Sequence, residues 1–272
     1  MRDDVYYVNY EVDPGTIHQM PRTKSSDLGA DPSRPALVIS CEHGGCDVPA
    51  AHAARFVGHE ALLHSHRGWD PGSLQLGRQL AEAFDAPLFA STTTRLLIDL
   101  NRSIGHRQLF SELTRGLSPS ERQEIVRAHY RPHRGAVEGA IARRIGAAGR
   151  VIHIASHSFT PVLNGIERRA DVAWLYDPRR AAEAALAVRW MARFASRAPA
   201  LRLRRNYPYQ GRGDGLTALL RKRFSGDVYL GIELEVNQRF VEHGGAAWDT
   251  LRSDLVSSLA ATLACELPSA IG

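Results

Sequence analysis

Residues 35–49, PALVISCEHGGCDVP, run from an apolar stretch straight into a turn crowded with reactive side chains. Ala36 to Ser40 reads as a buried β-strand, and behind it come Cys41, Glu42, His43, two glycines and Asp47. In an open α/β sheet the carboxyl end of a strand is where such groups face a crevice. His43 at that place suits a metal ligand, a general base or a plain turn histidine, and Gly44 and Gly45 let other backbone come close.

Outward from this strand the chain alternates. Residues 1–34 read as an N-terminal arm, with Tyr6, Tyr7 and Tyr10 able to pack down and Pro14, Pro21 and DLGADPSRP marking irregular connection. Ala50 to Leu63 reads as helix and 64–72, HSHRGWDPG, as loop. Leu74, Leu76, Leu80 and Phe84 recur near helical spacing and predict a helix over 72–83. Pro87 to Ala90 and RLLIDL, Arg95 to Leu100, read as strands. Ser118, Pro119 and Glu121 form a capping box that opens a helix reaching Ala147, with a break near Arg131 and Pro132.

Further strands follow at Val151 to Ala155, Leu201 to Arg205 and Val228 to Val236, and a segment containing Val172 to Leu175 precedes the long helix described next. Between and after them lie helices over 178–198, 216–224 and 249–265. The alternation, without an internal repeat, predicts one domain over 35–272: a three-layer α/β/α fold with a central, mostly parallel or mixed sheet.

Composition excludes several classes. The 34 Lys and Arg face 29 Asp and Glu, and the resulting +5 is spread through mixed helical segments, so no nucleic-acid partner is expected. An anionic small molecule would use the same sign of charge. Three cysteines, Cys41, Cys46 and Cys265, make no disulfide framework and fit a reducing compartment. The N-terminus lacks a basic start with an apolar core, and no run reaches the ~18 apolar residues of a spanning helix. The expectation is a cytoplasmic protein with no membrane partner, a monomer or small homo-oligomer.

Polar groups cluster at strand ends, where burial without a partner or a task is costly. They are His43, Asp99 with Asn101 and Arg102, His157, and Glu233 with Glu235. Two histidines and a carboxylate form a catalytic zinc set with a position left for water, and the carboxylate is Glu42, Asp47, Asp70 or one of the late glutamates. A glutamate beside the ion can take a proton from water attacking an amide carbonyl. Against this stand plainer readings: His157 bonded to Ser156 or Ser158, His153 as a satisfied interior residue, and Asp70 as a helix cap. Arg102 beside Asn101 suits a bidentate grip on a substrate carboxylate, with Arg95 a second clamp or an oxyanion stabiliser. Tyr207 and Tyr209 can cover a ligand or simply pack. GRGDG, 211–215, lacks a phosphate-loop pattern and reads as a rim. No GxSxG elbow supports a serine nucleophile, and Cys41 near His43 has no evident orienting partner.

CEHGGCDVP, WDPG, RLLIDLNR, YRPHRG, HIASHSFTP, NYPYQG and IELEVNQ, in this order over roughly residues 36–240, resemble the N-formylglutamate amidohydrolase family. That resemblance implies a zinc-carboxypeptidase-like fold and a Zn2+-dependent amidohydrolase. It implies His43, Asp70 and His157 as metal ligands and Glu235, ahead of Glu233, as catalytic base. Asn101 and Arg102 match the pair that receives a substrate carboxylate, with Arg95, His133 and Tyr209 in similar pocket motifs. EHGG departs from the commoner family wording. The reaction implied is hydrolysis of a small carboxylate-bearing N-acyl amino acid such as N-formylglutamate. The competing readings are a carboxypeptidase-like enzyme on short peptides and a noncatalytic small-anion-binding module.

Overall fold

The computed structural model describes residues 5–7, as backbone, and 36–264. Its strands are β1 Val5–Tyr7, β2 Ala36–Cys41, β3 Leu88–Ala90, β4 Val151–Phe159, β5 Val162–Leu163, β6 Ile166–Glu167, β7 Val172–Leu175, β8 Leu203–Arg205 and β9 Tyr229–Asn237. Its helices are α1 Glu60–Leu63, α2 Ser73–Ala83, α3 Pro119–Ile125, α4 Arg131–Ala148, α5 Ala181–Arg197, α6 Leu216–Arg223, α7 Arg239–His243 and α8 Gly245–Ala264. Seven strands form one sheet in the order β1-β3-β2-β4-β9-β7-β8, parallel throughout except where β7 meets β9.

Period-two alternation gives the sheet two different faces. Ile39 and Cys41 of β2, Ile152 and Ile154 of β4, and Leu230, Ile232, Leu234 and Val236 of β9 pack with α2, α5 and α8 through Leu76, Leu80, Trp190, Phe194, Leu251, Leu255 and Leu259. On the other face Val38, Val151 and Tyr229 meet Val137, Ala140 and Ile141 of α4 and Leu216 and Leu220 of α6. The result is the expected three-layer α/β/α arrangement. The second face turns polar toward the strand ends, where β4 carries His153 and His157 and β9 carries Glu233 and Glu235.

Several local expectations are corrected. RLLIDL is not a strand. Its residues make turns, with Leu97 N–H donating to Thr94 O and Arg102 N–H to Asp99 O. Leu96, Leu97, Ile98 and Leu100 build a separate core with Phe56, Leu109, Leu117, Ile125 and Tyr130. Their carbonyls are capped by side chains instead of a neighbouring strand: Ser111 and Thr114 hydroxyls on Leu96 O and Arg134 Nη1 on Leu100 O. A continuous apolar run therefore marked burial without marking extension. Arg102 and Asp99 consequently sit in a loop rather than at a strand end.

The stretch 50–63 is a 3₁₀ turn, Ala50–Arg55, and the short α1, interrupted at Gly58 (φ +77°). The capping box at Ser118 is present, and the break before Pro132 is a π turn over Val126–Tyr130 in which Arg131 N–H reaches Val126 O. That wider turn accommodates a proline that cannot donate to the ladder. β4 extends to Phe159, so His157 lies within the strand, and α8 begins at Gly245 rather than at residue 249. Part of the arm, Val5–Tyr7, is an edge strand paired in parallel with β3; Tyr10, Pro14, Pro21 and Cys265 lie outside the described residues.

The α5 layer is fixed by Trp190, fully buried, edge-on to Trp174 at 5.8 Å and donating from Nε1 to Ser258 Oγ at 3.0 Å. Replacing Trp190 with Ala removes that ring and its bond to Ser258 Oγ, which keeps its own bond to Leu255 O, and should cost about 3–5 kcal/mol. The expected result in urea unfolding is a lowered midpoint with an unchanged slope.

Candidate metal centre

Three elements converge at the carboxyl end of β2 and β4. His43 follows β2 directly, and the turn holding it is pressed against the chain after β3: Gly44 N–H donates to Ser91 O and Asp47 N–H to Thr92 O, both at 2.9 Å. A Cβ on Gly45 would stand 2.8 Å from Thr92 O, so only glycine permits this approach. His157 lies on β4, and Asp70 lies on the WDPG loop before α2.

Asp70 is placed by its backbone. Its N–H donates to His43 O at 2.9 Å, and its C=O accepts from Ser73 N at 3.1 Å and from Ser73 Oγ at 2.7 Å. Gly72, in the left-handed region at φ +80°, is the residue that caps α2, without a side-chain bond. The Asp70 carboxylate is therefore not a cap, and it turns inward to the histidines.

The His43 and His157 rings have centroids 5.2 Å apart. Asp70 Oδ2 is 3.3 Å from His43 Nδ1 and 2.9 Å from His157 Nδ1, and all three residues are buried. Donors about 2.0–2.1 Å from a tetrahedral ion stand roughly 3.3 Å from one another, so these separations suit a single zinc-sized cation. The two Nε2 atoms point away from this centre, each to a carboxylate: His43 Nε2 to Asp99 Oδ1 at 2.8 Å, His157 Nε2 to Glu42 Oε2 at 3.0 Å. The Asp99 hydrogen bond fixes the Nε2–H tautomer of His43 and leaves its Nδ1 lone pair facing the centre, and Glu42 stands within ion-pair distance behind His157.

Proton counting tests the fit. Four ring nitrogens face carboxylate oxygens, and two neutral imidazoles supply only two N–H groups. A cation at the centre resolves the shortfall, and two histidines with a carboxylate are a donor set of catalytic zinc. Without it a proton substitutes: although burial opposes the charge, Asp70 and Glu42 hold the His157 imidazolium well above its ordinary range. The partners answer in kind. Against burial, His43, His157 and Arg95 hold Asp70 far below the usual carboxylate range, and His133 and His157 do the same for Glu42.

Glu235 faces the site from β9, in register with His157 on the adjacent strand. It is buried, its Oε2 has no hydrogen-bond partner, and burial pushes it up to about 8; the charges of Asp70 and Glu233 add to this against the pull of His157. Glu233, on the same face, is engaged by the Thr217 hydroxyl.

The remaining sequence candidates separate by what already occupies them. Arg95 spans Asp70 Oδ1 at 3.1 Å and Asp99 Oδ2 at 2.7 Å, so it secures carboxylates of the site itself. Asn101 Oδ1 accepts from Leu216 N–H at 2.7 Å, satisfying the start of α6, while its Nδ2 lies 3.5 Å from His157 Nε2. His133 sits behind Glu42, 3.5 Å from Oε1, rather than in a pocket wall. Arg102 Nη1 donates to Asp214 O at 3.0 Å, its Nε has no partner, and no carboxylate pairs with it among the described residues. The GRGDG loop is clipped to this segment by Asp214, which accepts from Ser103 N–H at 2.9 Å. Tyr209 is 46% exposed and stands against Arg168.

The plainer readings resolve too. His153 is an interior residue between Ser40 Oγ at 2.8 Å and Tyr229 OH at 2.9 Å. Ser156 and Ser158 turn to the opposite face and donate to Ser73 O and Pro71 O, leaving His157 to the carboxylates. Burial pushes the Cys41 thiol up to about 12, which removes it as a nucleophile, and Asp47 is exposed. Glu42 and Asp99 act behind the histidines, roles the sequence did not separate from ligation because spacing carries no information on which ring nitrogen a carboxylate meets.

Among the described residues no helix is long and apolar enough to cross a membrane. Comparison of the sequence with curated proteins gave no match. Among solved structures, a gene product of Agrobacterium tumefaciens is similar at 27% identity and TM-score 0.73, over 86% of this chain and 93% of that one. The N-formylglutamate amidohydrolase of Ralstonia eutropha is similar in fold at 19% identity and TM-score 0.64, over 85% and 93%. The family model described as N-formylglutamate amidohydrolase matches residues 35–241, most of the chain. The chain therefore belongs to the N-formylglutamate amidohydrolase family, and the buried histidine, histidine and aspartate centre is that of a metal-dependent amidohydrolase.

Proposed function

We propose that the enzyme hydrolyses the acyl amide of a small N-acyl amino acid, N-formylglutamate being the leading candidate, with His43, Asp70 and His157 holding Zn2+. The observation that carries this is the meeting of His43 Nδ1, His157 Nδ1 and Asp70 Oδ2 with a carboxylate behind each ring. A zinc ion on these atoms supplies Lewis acidity toward the carbonyl and makes water a nucleophile at neutral pH.

The chain's own groups do the rest. Glu235, unpaired and raised toward neutrality, takes the proton from the attacking water and returns it to the departing amine nitrogen, so that formate and the free amino acid leave. Arg102, with no carboxylate partner of its own, receives the substrate's α-carboxylate. Arg95 holds Asp70 and Asp99 in place, Asp99 keeps His43 in the tautomer that presents Nδ1, and Glu42 supports His157 electrostatically from behind the ring. Glu233, held by Thr217, is the second choice for the base.

Glu235→Gln should leave zinc content near that of the parent while lowering turnover of N-formylglutamate by roughly 10² or more. Metal analysis beside single-turnover kinetics reads both; activity within a few-fold of the parent would move the base to Glu233. Because only the carboxylate form accepts a proton, kcat/KM should rise with pH through a limb lying above the ordinary glutamate value of 4.5 and no higher than about 8. That limb should vanish in the variant.

Zinc must displace the Nδ1 proton of a His157 that the apoprotein keeps charged above the usual imidazole range. Apparent affinity should therefore strengthen about tenfold per pH unit while that proton is present, and level off above it. Glu42→Gln, by weakening the support of His157, should lower zinc affinity roughly 10–100-fold in competition with a chelator. Unchanged affinity would place the metal elsewhere.

A further inference from the structure

The GRGDG segment, 211–215, and the loop carrying Asn101 and Arg102 are tied together in both directions. Arg102 Nη1 donates to Asp214 O at 3.0 Å, and the Asp214 carboxylate accepts from Ser103 N–H at 2.9 Å and from the Ser103 hydroxyl. Just beyond Gly215, Leu216 N–H donates to Asn101 Oδ1 at 2.7 Å. Three consecutive residues, Asn101, Arg102 and Ser103, are thus bonded to Asp214 and Leu216.

Each loop is also secured on its own side. Tyr130 OH donates to Arg102 O at 2.7 Å and Arg134 Nη1 to Leu100 O at 3.0 Å, which fixes the first from the π turn and α4. The second is held from inside the domain. Arg221 of α6 donates from Nη1 to Gly211 O and from Nη2 to Gly231 O of β9 at 2.8 Å, and its Nε pairs with the fully buried Glu183 at 2.9 Å. Separating such a pair would strand a buried charge, so the anchor is rigid.

The disposition of charge gives the clasp a chemical meaning. A carboxylate on a segment that touches a guanidinium ordinarily pairs with it in a fork. Asp214 does otherwise: its carboxylate is spent on Ser103, and its backbone oxygen is what Arg102 meets. Arg102 is aimed by neutral oxygens, Asp214 O and, at 3.4 Å, Asn101 O, while its Nε has no partner.

We propose that Asp214 is a positioning residue: by gripping Ser103 it holds its backbone oxygen against Arg102 and keeps its carboxylate off that guanidinium, so that Arg102 is aimed and unquenched when the substrate's α-carboxylate arrives. This rests on the role given to Arg102 above. Asp214 touches no reacting atom. Because it acts through Arg102, its loss weakens binding of ground and transition states alike and spares the chemical step.

The test compares zinc-loaded parent, Asp214→Ala and Asp214→Asn on N-formyl-L-glutamate and its α-amide, which differ only in the group that Arg102 meets. For the α-carboxylate compound Asp214→Ala should raise KM roughly tenfold with kcat within about threefold, the size of one weakened charge-assisted hydrogen bond. Asp214→Asn, whose side-chain oxygen still accepts from Ser103 N–H, should recover most of that loss. Toward the α-amide all three should agree within about twofold. Ser103→Ala, which deletes one of the two grips, should show the same pattern at about threefold in KM and serves where Asp214→Ala does not fold. Calorimetric binding of both compounds to zinc-loaded Glu235→Gln, with and without Asp214→Ala, reads the preference without turnover. An Asp214→Ala variant that matches the parent, that loses kcat or zinc in place of KM, or that weakens both compounds equally overturns the proposal. A parent indifferent to the exchange of carboxylate for amide overturns it together with the role of Arg102 and leaves the hydrolase reading standing. An Asp214-dependent binding preference in a parent that does not turn over N-formylglutamate upholds it and overturns the hydrolase reading.

Discussion

The constraint on which the site depends is a shortage of protons. Two imidazoles, buried side by side, face three aspartate and glutamate carboxylates with all four of their nitrogens. Neutral rings satisfy half of those contacts. A proton can make up part of the difference, and His157 is built to hold one, but a divalent ion satisfies the arrangement in full. The two Nδ1 atoms and Asp70 would hold it, with each Nε2 left to the carboxylate behind its ring. Asp99 and Glu42 are therefore as much part of the centre as the atoms facing the ion.

The sheet explains how so much charge survives burial. Leu230, Ile232, Leu234 and Val236 along β9 and Ile152 and Ile154 of β4 face α2, α5 and α8, with Ser156 and Ser158 of that face satisfied by Ser73 O and Pro71 O, so the layer that stabilises the domain is undisturbed by the intervening polar positions. Those intervening positions become more polar toward the strand ends: Tyr229 with His153 and Ser40 deep in the layer, then His157 with Glu235 at the mouth. Parallel pairing of the two strands sets His157 beside Glu235 in register. A one-residue slip of either strand would put a carboxylate or an imidazole into the aliphatic face, so packing of that face also fixes the catalytic geometry.

This shows why the sequence was readable in some places and opaque in others. The β2 strand and its turn, the capping box at Ser118 and the alternation within β9 are local patterns, and each appears in the structure. RLLIDL deceived because a buried loop with its own small core has the same hydrophobicity as a buried strand; only Ser111, Thr114 and Arg134, distant in sequence, reveal how its carbonyls are satisfied. The pairing of Asp99 with His43 and of Glu42 with His157 was hidden for a related reason. Sequence shows that these groups need partners, while the choice among several carboxylates is made by strand register and loop path.

The arginines carry the last step. A formal charge of +5 suggested little by itself, because a guanidinium's meaning depends on what neutralises it. Arg95 is consumed by Asp70 and Asp99, Arg221 by the buried Glu183, and Arg197 by Asp254. Arg102 lacks a carboxylate partner among the described residues, and its Nη1 is anchored on Asp214 O. With 34 basic residues against 29 acidic ones some guanidinium must go without a carboxylate, and under the reading proposed above Arg102, held beside Asn101 by Asp214 O, is the one left for a substrate carboxylate.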